Sequence, residues 1–269
     1  MASNALNLTV APFEAKFGIV SKELAVCPEH GEYAAIISKH KEGPSGCPTC
    51  AEARQREKDA EEQKALMAKI AADRLANKLG AALIPARFRD RTFDGYVATE
   101  PKQVKALNVC REYAENFLDH FEAGRCLLLL GNVGTGKTHL ATAIANHIMR
   151  TTTATAVYRT VGGILQHIKG SYDRESEYSE ADAFAAYTKP SLLIIDEVGA
   201  TKPTEFELAT LFNIINGRYE EQLPTVVISN LPAGELSGAL GERCVDRLRE
   251  GGGIAVGFDW KSARGRTKA

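Results

Sequence analysis

A chain of 269 residues that is 44% hydrophobic and 25% charged has the make-up of an ordinary globular protein, long enough for one large α/β domain and a small appendage. Its formal net charge of −1 excludes a globally basic nucleic-acid binder, so any such binding must come from a local patch or a groove shared in an oligomer. No run approaches the ~18 apolar residues of a membrane span, and the opening MASNALNLTV lacks the basic and apolar regions of a signal peptide, so a cytoplasmic protein with no membrane partner is expected.

Residues 1–50 show little hydrophobic periodicity but hold Cys27-Pro-Glu-His30 and Cys47-Pro-Thr-Cys50. Each two-residue gap lets both side chains of a knuckle reach one ion, and two knuckles make a closed tetrahedral site. Three thiolates and one imidazole suit Zn²⁺ with no open coordination position. Few large apolar side chains lie in these fifty residues, so metal is expected to supply their folding energy. Unconnected thiols beside a surface histidine, or a redox pair at Cys47 and Cys50, are the alternatives; no thioredoxin-like pattern surrounds the latter. Cys110, Cys126 and Cys244 read as buried small residues.

Residues 51–83 are rich in Ala, Glu, Lys and Gln without proline until the α/β region begins, which favours helix. The first half is polar all round, whereas Leu66, Ile70, Leu75 and Leu79 form a loose apolar stripe. Such a helix serves either as a solvated linker or as a surface for a partner.

From 84 to 269 the pattern is α/β. Apolar runs at 126–130, 156–159, 192–195, 225–229 and 254–258 read as buried strands. Helical patterns at 103–121, to about 150, and at 162–169, 179–188, 204–220 and 238–249 alternate with them, which implies a parallel sheet covered on both faces.

The motif GNVGTGKT at 131–138 follows the first of these strands and opens a helix, the context a phosphate-binding loop requires. Glycines let the backbone aim its N–H groups at phosphate oxygens, and the helix adds its positive end. Asn132, Val133, Gly134, Thr135 and Gly136 are the candidate loop contacts, followed by Lys137, Thr138 and His139. Lys137 would reach the β- and γ-phosphates of ATP, and the Thr138 hydroxyl would ligate Mg²⁺. The run Leu192-Leu-Ile-Ile ends in Asp196 and Glu197, at the strand end that faces the ligand crevice of such sheets. Asp196 is expected to hold Mg²⁺ and Glu197 to orient and deprotonate the attacking water. Asn230, at the end of the 225–229 strand, either senses the γ-phosphate or caps the next helix.

Together, GNVGTGKTHLA, LLIIDEVG, VVISN and LGERCVDRLREGGG resemble the DnaC-type helicase loaders and the related IstB transposition ATPases, over about residues 85–266. The resemblance implies an α/β P-loop AAA+ domain with its parallel sheet sandwiched by helices, preceded here by the zinc-binding module and the helical linker. It places Phe88 and Phe93 in a leading segment near the adenine. It implies that Arg247 is an arginine finger entering a neighbouring subunit's site, hence self-association through AAA+ interfaces, and that Arg264 contacts the chain's own nucleotide. Read without it, an amphipathic helix with solvated arginines at 241–250 and a basic tail over the last ten residues are the alternative. Residues 161–172 resemble the insertion that touches single-stranded DNA in the initiator and loader branch, with Lys169 and Tyr172 as its basic and aromatic contacts; a solvated lysine and a packing tyrosine are the alternative.

The function so implied is ATP-dependent loading of a hexameric, DnaB-type replicative helicase onto single-stranded DNA, with the helicase bound through residues 1–80. The zinc module departs from the best-known DnaC pattern and resembles phage and prophage versions. An IstB-like transposition helper and an adaptor that binds ATP without cutting it are the alternatives, and Glu197 argues against the adaptor.

Overall fold

In a computed structural model, residues 6–263 are described. The chain divides into two compact units, residues 1–73 and 74–269.

The first unit opens with α1 (Pro12–Lys16), followed by an antiparallel hairpin of β1 (Ile19–Cys27) and β2 (Gly31–Ser38). Cys27 pairs with Gly31 across the turn, and Gly31 takes the left-handed φ of 76° that this turn requires. The hairpin was not legible in the sequence. Among the described hydrophobic side chains of this unit only Cys27, Ala35 and Cys47 are buried, so neither face of the hairpin carries the one-sided apolar alternation that marks a strand. The long helix α2 (Pro48–Ala81) starts on a proline, tolerated in a first turn whose N–H would be unpaired anyway. This start puts Cys47 just ahead of the helix and Cys50 inside its first turn.

In the second unit a short 3₁₀ turn at Ala86–Phe88 precedes α3 (Pro101–Glu115) and α4 (Phe117–Glu122). Then come β3 (Leu127–Gly131), α5 (Lys137–Thr151), β4 (Ala156–Thr160), α6 (Val161–Gly170), α7 (Glu180–Thr188) and β5 (Leu192–Val198). The unit closes with α8 (Glu205–Glu220), β6 (Thr225–Ser229), α9 (Leu236–Leu240), α10 (Glu242–Arg249) and β7 (Ile254–Phe258). The five strands stand in the order β4-β5-β6-β3-β7 and every pairing is parallel.

Both faces of this sheet are covered, and that is why β3 is four leucines in a row. Leu127 and Leu129 join the core packed by α3 and α5, while Leu128 and Leu130 join the opposite core under α6, α7, α8, α9 and α10. The helix expected at 238–249 is two helices, because Gly241 adopts φ 84° between α9 and α10. Arg218 on α8 is 1% exposed, and burial lowers its pKa to about 10. Its guanidinium donates to the carbonyls of Tyr187, Pro190 and Pro224 and to the Thr225 hydroxyl, which ties together the chain entering β5 and β6.

Candidate functional site

The five-residue β3 delivers the chain into a loop whose glycines are required by close approach. Gly131 has φ 124°, and a Cβ there would stand 2.5 Å from the Phe258 carbonyl oxygen. Gly136 has φ 98°, and a Cβ there would fall on the Tyr96 ring. From Gly136 the chain enters α5, so the loop amides and the helix N-terminus face one cleft. That cleft is lined by Phe88, the loop residues Val133, Gly134, Thr135 and Gly136, then Lys137, Thr138 and His139, together with Asp196, Glu197 and Asn230. Arg87 and Ile228 also line it. Lys137 is buried, and its Nζ donates to the carbonyls of Gly131 (2.7 Å) and Asn132 (2.6 Å), inside the loop where phosphate oxygens would compete for it.

Asp196 is held by three donors. Thr138 Oγ1 and Tyr158 Oη donate to its Oδ2 at 2.8 and 2.7 Å, and the Glu197 N–H donates to Oδ1 at 2.6 Å. Burial, with Asp196 next in weight, pushes the Tyr158 hydroxyl far above its usual pKa, so it stays a donor. The register of β5 against β6 shifts between Ile195 and Val198, and Glu197 sits in this irregularity with φ 63° and an exposed side chain. A non-glycine residue in the left-handed region stores backbone strain of order 1–3 kcal/mol, and such strain gathers where a side chain must be aimed.

The loop is clasped by the end of β7, by the residues that follow it and by Tyr96. The Asn132 N–H donates to the Phe258 carbonyl (2.7 Å) and its side chain to the Trp260 carbonyl (3.2 Å). Trp260 Nε1 donates to the Thr135 carbonyl (3.1 Å), as does Tyr96 Oη (3.0 Å), and the Ala263 N–H donates to Gly134 (2.9 Å). Asn132 is therefore turned toward this clasp, away from the cleft. His139 Nε2 donates to the Thr92 carbonyl (2.9 Å), which anchors the segment that carries Phe88; burial lowers the His139 pKa and keeps the ring neutral. Tyr96, Tyr158 and Trp260 had no motif to announce them.

Phe93 is not among the residues lining this cleft, against its expected place near the adenine. It is 7% exposed, packs on His147 and lies under Arg111, because its side chain turns into the core beside α3 and α5. Arg247 is likewise absent from its own chain's cleft and lies on α10 against α8. Arg264 lies outside the described residues. Lys169 at the end of α6 and Tyr172 just beyond it are both exposed; the lysine stands over the Phe206 ring and the tyrosine donates to Glu180.

In the first unit the four candidate metal ligands converge. Cys27 Sγ is 3.5 Å from Cys50 Sγ and 3.7 Å from His30 Nδ1, and all four ligand atoms of Cys27, His30, Cys47 and Cys50 lie within 4.8 Å of one another. A tetrahedron with Zn–S bonds of ~2.3 Å has S–S edges of ~3.8 Å, so this donor set fits Zn²⁺ in both chemistry and spacing. The hairpin turn supplies one knuckle and the start of α2 the other. No described helix is long and apolar enough to cross a membrane.

Comparison with known proteins adds ancestry to this geometry. The profile of the family described as IstB-like ATP binding protein matches residues 61–248, which leaves the Cys–His cluster outside the match. The replicative helicase loader DnaC of Buchnera aphidicola (strain APS) is 30% identical over 186 residues, covering 69% of this chain and 74% of that protein. Its Escherichia coli K12 counterpart is 31% identical over 175 residues, covering 65% and 69%. In fold, the crystal structure of the DnaC helicase loader superposes with a TM-score of 0.58 at 21% identity, over 65% of this chain and 99% of that one.

Proposed function

This chain belongs to the IstB-like ATP-binding family of AAA+ proteins, and from that premise we propose that it loads a hexameric, DnaB-type replicative helicase onto single-stranded DNA by an ATP-driven cycle. The observation that carries the reading is its 30% identity to a replicative helicase loader across most of the ATPase unit. The intact set of Thr138, Asp196 and Glu197 around one cleft supports hydrolysis as part of the cycle.

The chemistry follows from the arrangement. The loop amides and Lys137 bind the β- and γ-phosphates of ATP, with Phe88 at the cleft wall toward the base. Thr138 and Asp196 would hold Mg²⁺, which neutralises phosphate charge when bound. Asp196 already accepts three hydrogen bonds, so Glu197 is the carboxylate assigned to take the proton of the attacking water. Asn230 is assigned to the γ-phosphate. Arg247, remote from its own cleft, acts on that of a neighbouring chain, so the active site is completed by self-association. Cys27, His30, Cys47 and Cys50 would hold Zn²⁺ as a closed structural cross-link. The first unit and α2 are assigned to the helicase contact, in the cytoplasm of a bacterium or an infected host.

The test is co-purification with a hexameric replicative helicase, with and without ATP. A complex that survives moderate salt is expected. Failure to bind any such helicase, with retention of duplex DNA and a transposase instead, would sink the loader in favour of an IstB-like transposition helper.

Strand contact has its own test. Lys169→Ala and Tyr172→Ala should each weaken binding to single-stranded DNA, the tyrosine by the ~1–3 kcal/mol of one base–aromatic stack. The lysine variant should also flatten the salt dependence. Unchanged DNA affinity in the double variant, measured by fluorescence anisotropy, would remove this segment from the interface.

A further inference from the structure

We propose that Phe212 and Tyr219 form an aromatic cradle that positions Arg247 for the neighbouring chain's nucleotide. This rests on the trans-acting role given to Arg247 above. The two rings stand seven residues apart on α8, two helical turns, and so share the face that α10 packs against. The Arg247 guanidinium carbon lies 5.0 Å from the Phe212 ring centre and 5.4 Å from that of Tyr219.

What the guanidinium does not touch is equally informative. Among the described residues Arg247 forms no ion pair; its Nη1 makes a 3.3 Å bond to the Arg243 carbonyl one turn earlier, and its buried Nε meets no acceptor. A carboxylate clamp would have occupied the two-pronged edge of the guanidinium, the edge that grips phosphate. Ring faces hold a cation without using that edge. The nearby carboxylate of Glu250 is itself engaged, accepting the Tyr219 hydroxyl at 2.8 Å, so one tyrosine both holds the arginine and occupies a competing acid. The arrangement fixes a charged side chain in place with no carboxylate on it, and leaves Nη2, which makes no hydrogen bond among the described residues, for an anion from outside the chain.

Steady-state hydrolysis and mixing test it. Phe212→Leu, the less disruptive Phe212→Met, and Tyr219→Leu should each lower kcat about 2- to 30-fold, the range of one cation–π contact. ATP affinity, measured with a fluorescent analogue, should stay unchanged. Tyr219→Phe, which keeps the ring, should restore most of what Tyr219→Leu loses. Mixing any ring-lacking variant with Lys137→Ala should raise hydrolysis above the sum of the two, because the Lys137→Ala chain brings an intact cradle and finger to its neighbour's intact loop. Wild-type kcat in both Phe212 variants and in Tyr219→Leu would overturn the cradle. So would losses that mixing does not relieve while Arg247→Ala is relieved by the same partner. If Arg247→Ala itself keeps full turnover, or is not relieved, the trans-finger reading fails instead.

Discussion

Glu197→Gln is expected to bind ATP as tightly as the natural chain while releasing phosphate about 10²- to 10⁴-fold more slowly, the scale of a lost general base. The neighbouring carboxylate cannot substitute for it. Asp196 is committed on both oxygens, to Thr138 and Tyr158 on one and to the Glu197 N–H on the other. Glu197 instead is thrust from the strand by its left-handed backbone, with its side chain exposed in the cleft. Glutamine keeps the length and shape of that side chain and removes only its basicity, so the backbone irregularity and the Thr138–Asp196 pair assigned to magnesium should survive. Lys137→Ala is the contrasting variant: it removes the phosphate cation and should weaken binding itself. A phosphate-release assay beside a nucleotide titration separates the two. Equal turnover in Glu197→Gln and the natural chain would strip Glu197 of its role.

The larger effect, in folding terms, belongs to the cysteines. Protein purified without added metal should contain one zinc per chain, and Cys47→Ser/Cys50→Ser should lose it together with the structure of the hairpin. Structural zinc sites contribute apparent free energies of ~10–16 kcal/mol in small modules. Beyond strand pairing, little burial holds the hairpin, since Cys27, Ala35 and Cys47 are its unit's buried hydrophobic residues among those described, and two of the three are candidate ligands. The second unit has its own two-faced core and should keep its ATP affinity. Elemental analysis and limited proteolysis read the two halves of this prediction. Zinc content unchanged in the double variant, or a metal-free natural protein with a protease-resistant hairpin, would refute it.

How much of this was visible in the residues depended on how each element is stabilised. The strands of the parallel sheet were legible because burial on both faces demands unbroken apolar runs, and the phosphate loop because its backbone demands glycine at fixed places. The Cys–His cluster was legible from spacing alone. The hairpin that carries half of it was not, since its strands are shaped by the turn and by pairing, with almost nothing buried. Tyr158 and Trp260 act through one hydroxyl and one indole N–H, and a single hydrogen-bonding atom leaves no periodic trace. Phe93 shows the converse: the resemblance places it near the adenine, its ring packs in the core beside α3 and α5, and a core aromatic and a cleft aromatic read alike in sequence.

The clasp behind the phosphate loop has a practical side. Trp260 is the chain's one tryptophan, buried against Phe258 and hydrogen-bonded through its indole to the carbonyl of Thr135. On the reading proposed above, phosphates displace Lys137 from its internal acceptors, and the emission of Trp260 should report the adjustment of that backbone. Excited at the red edge of its absorption, clear of the tyrosines, it is a label-free optical probe installed at the loop, able to time nucleotide arrival and departure in the unmodified protein.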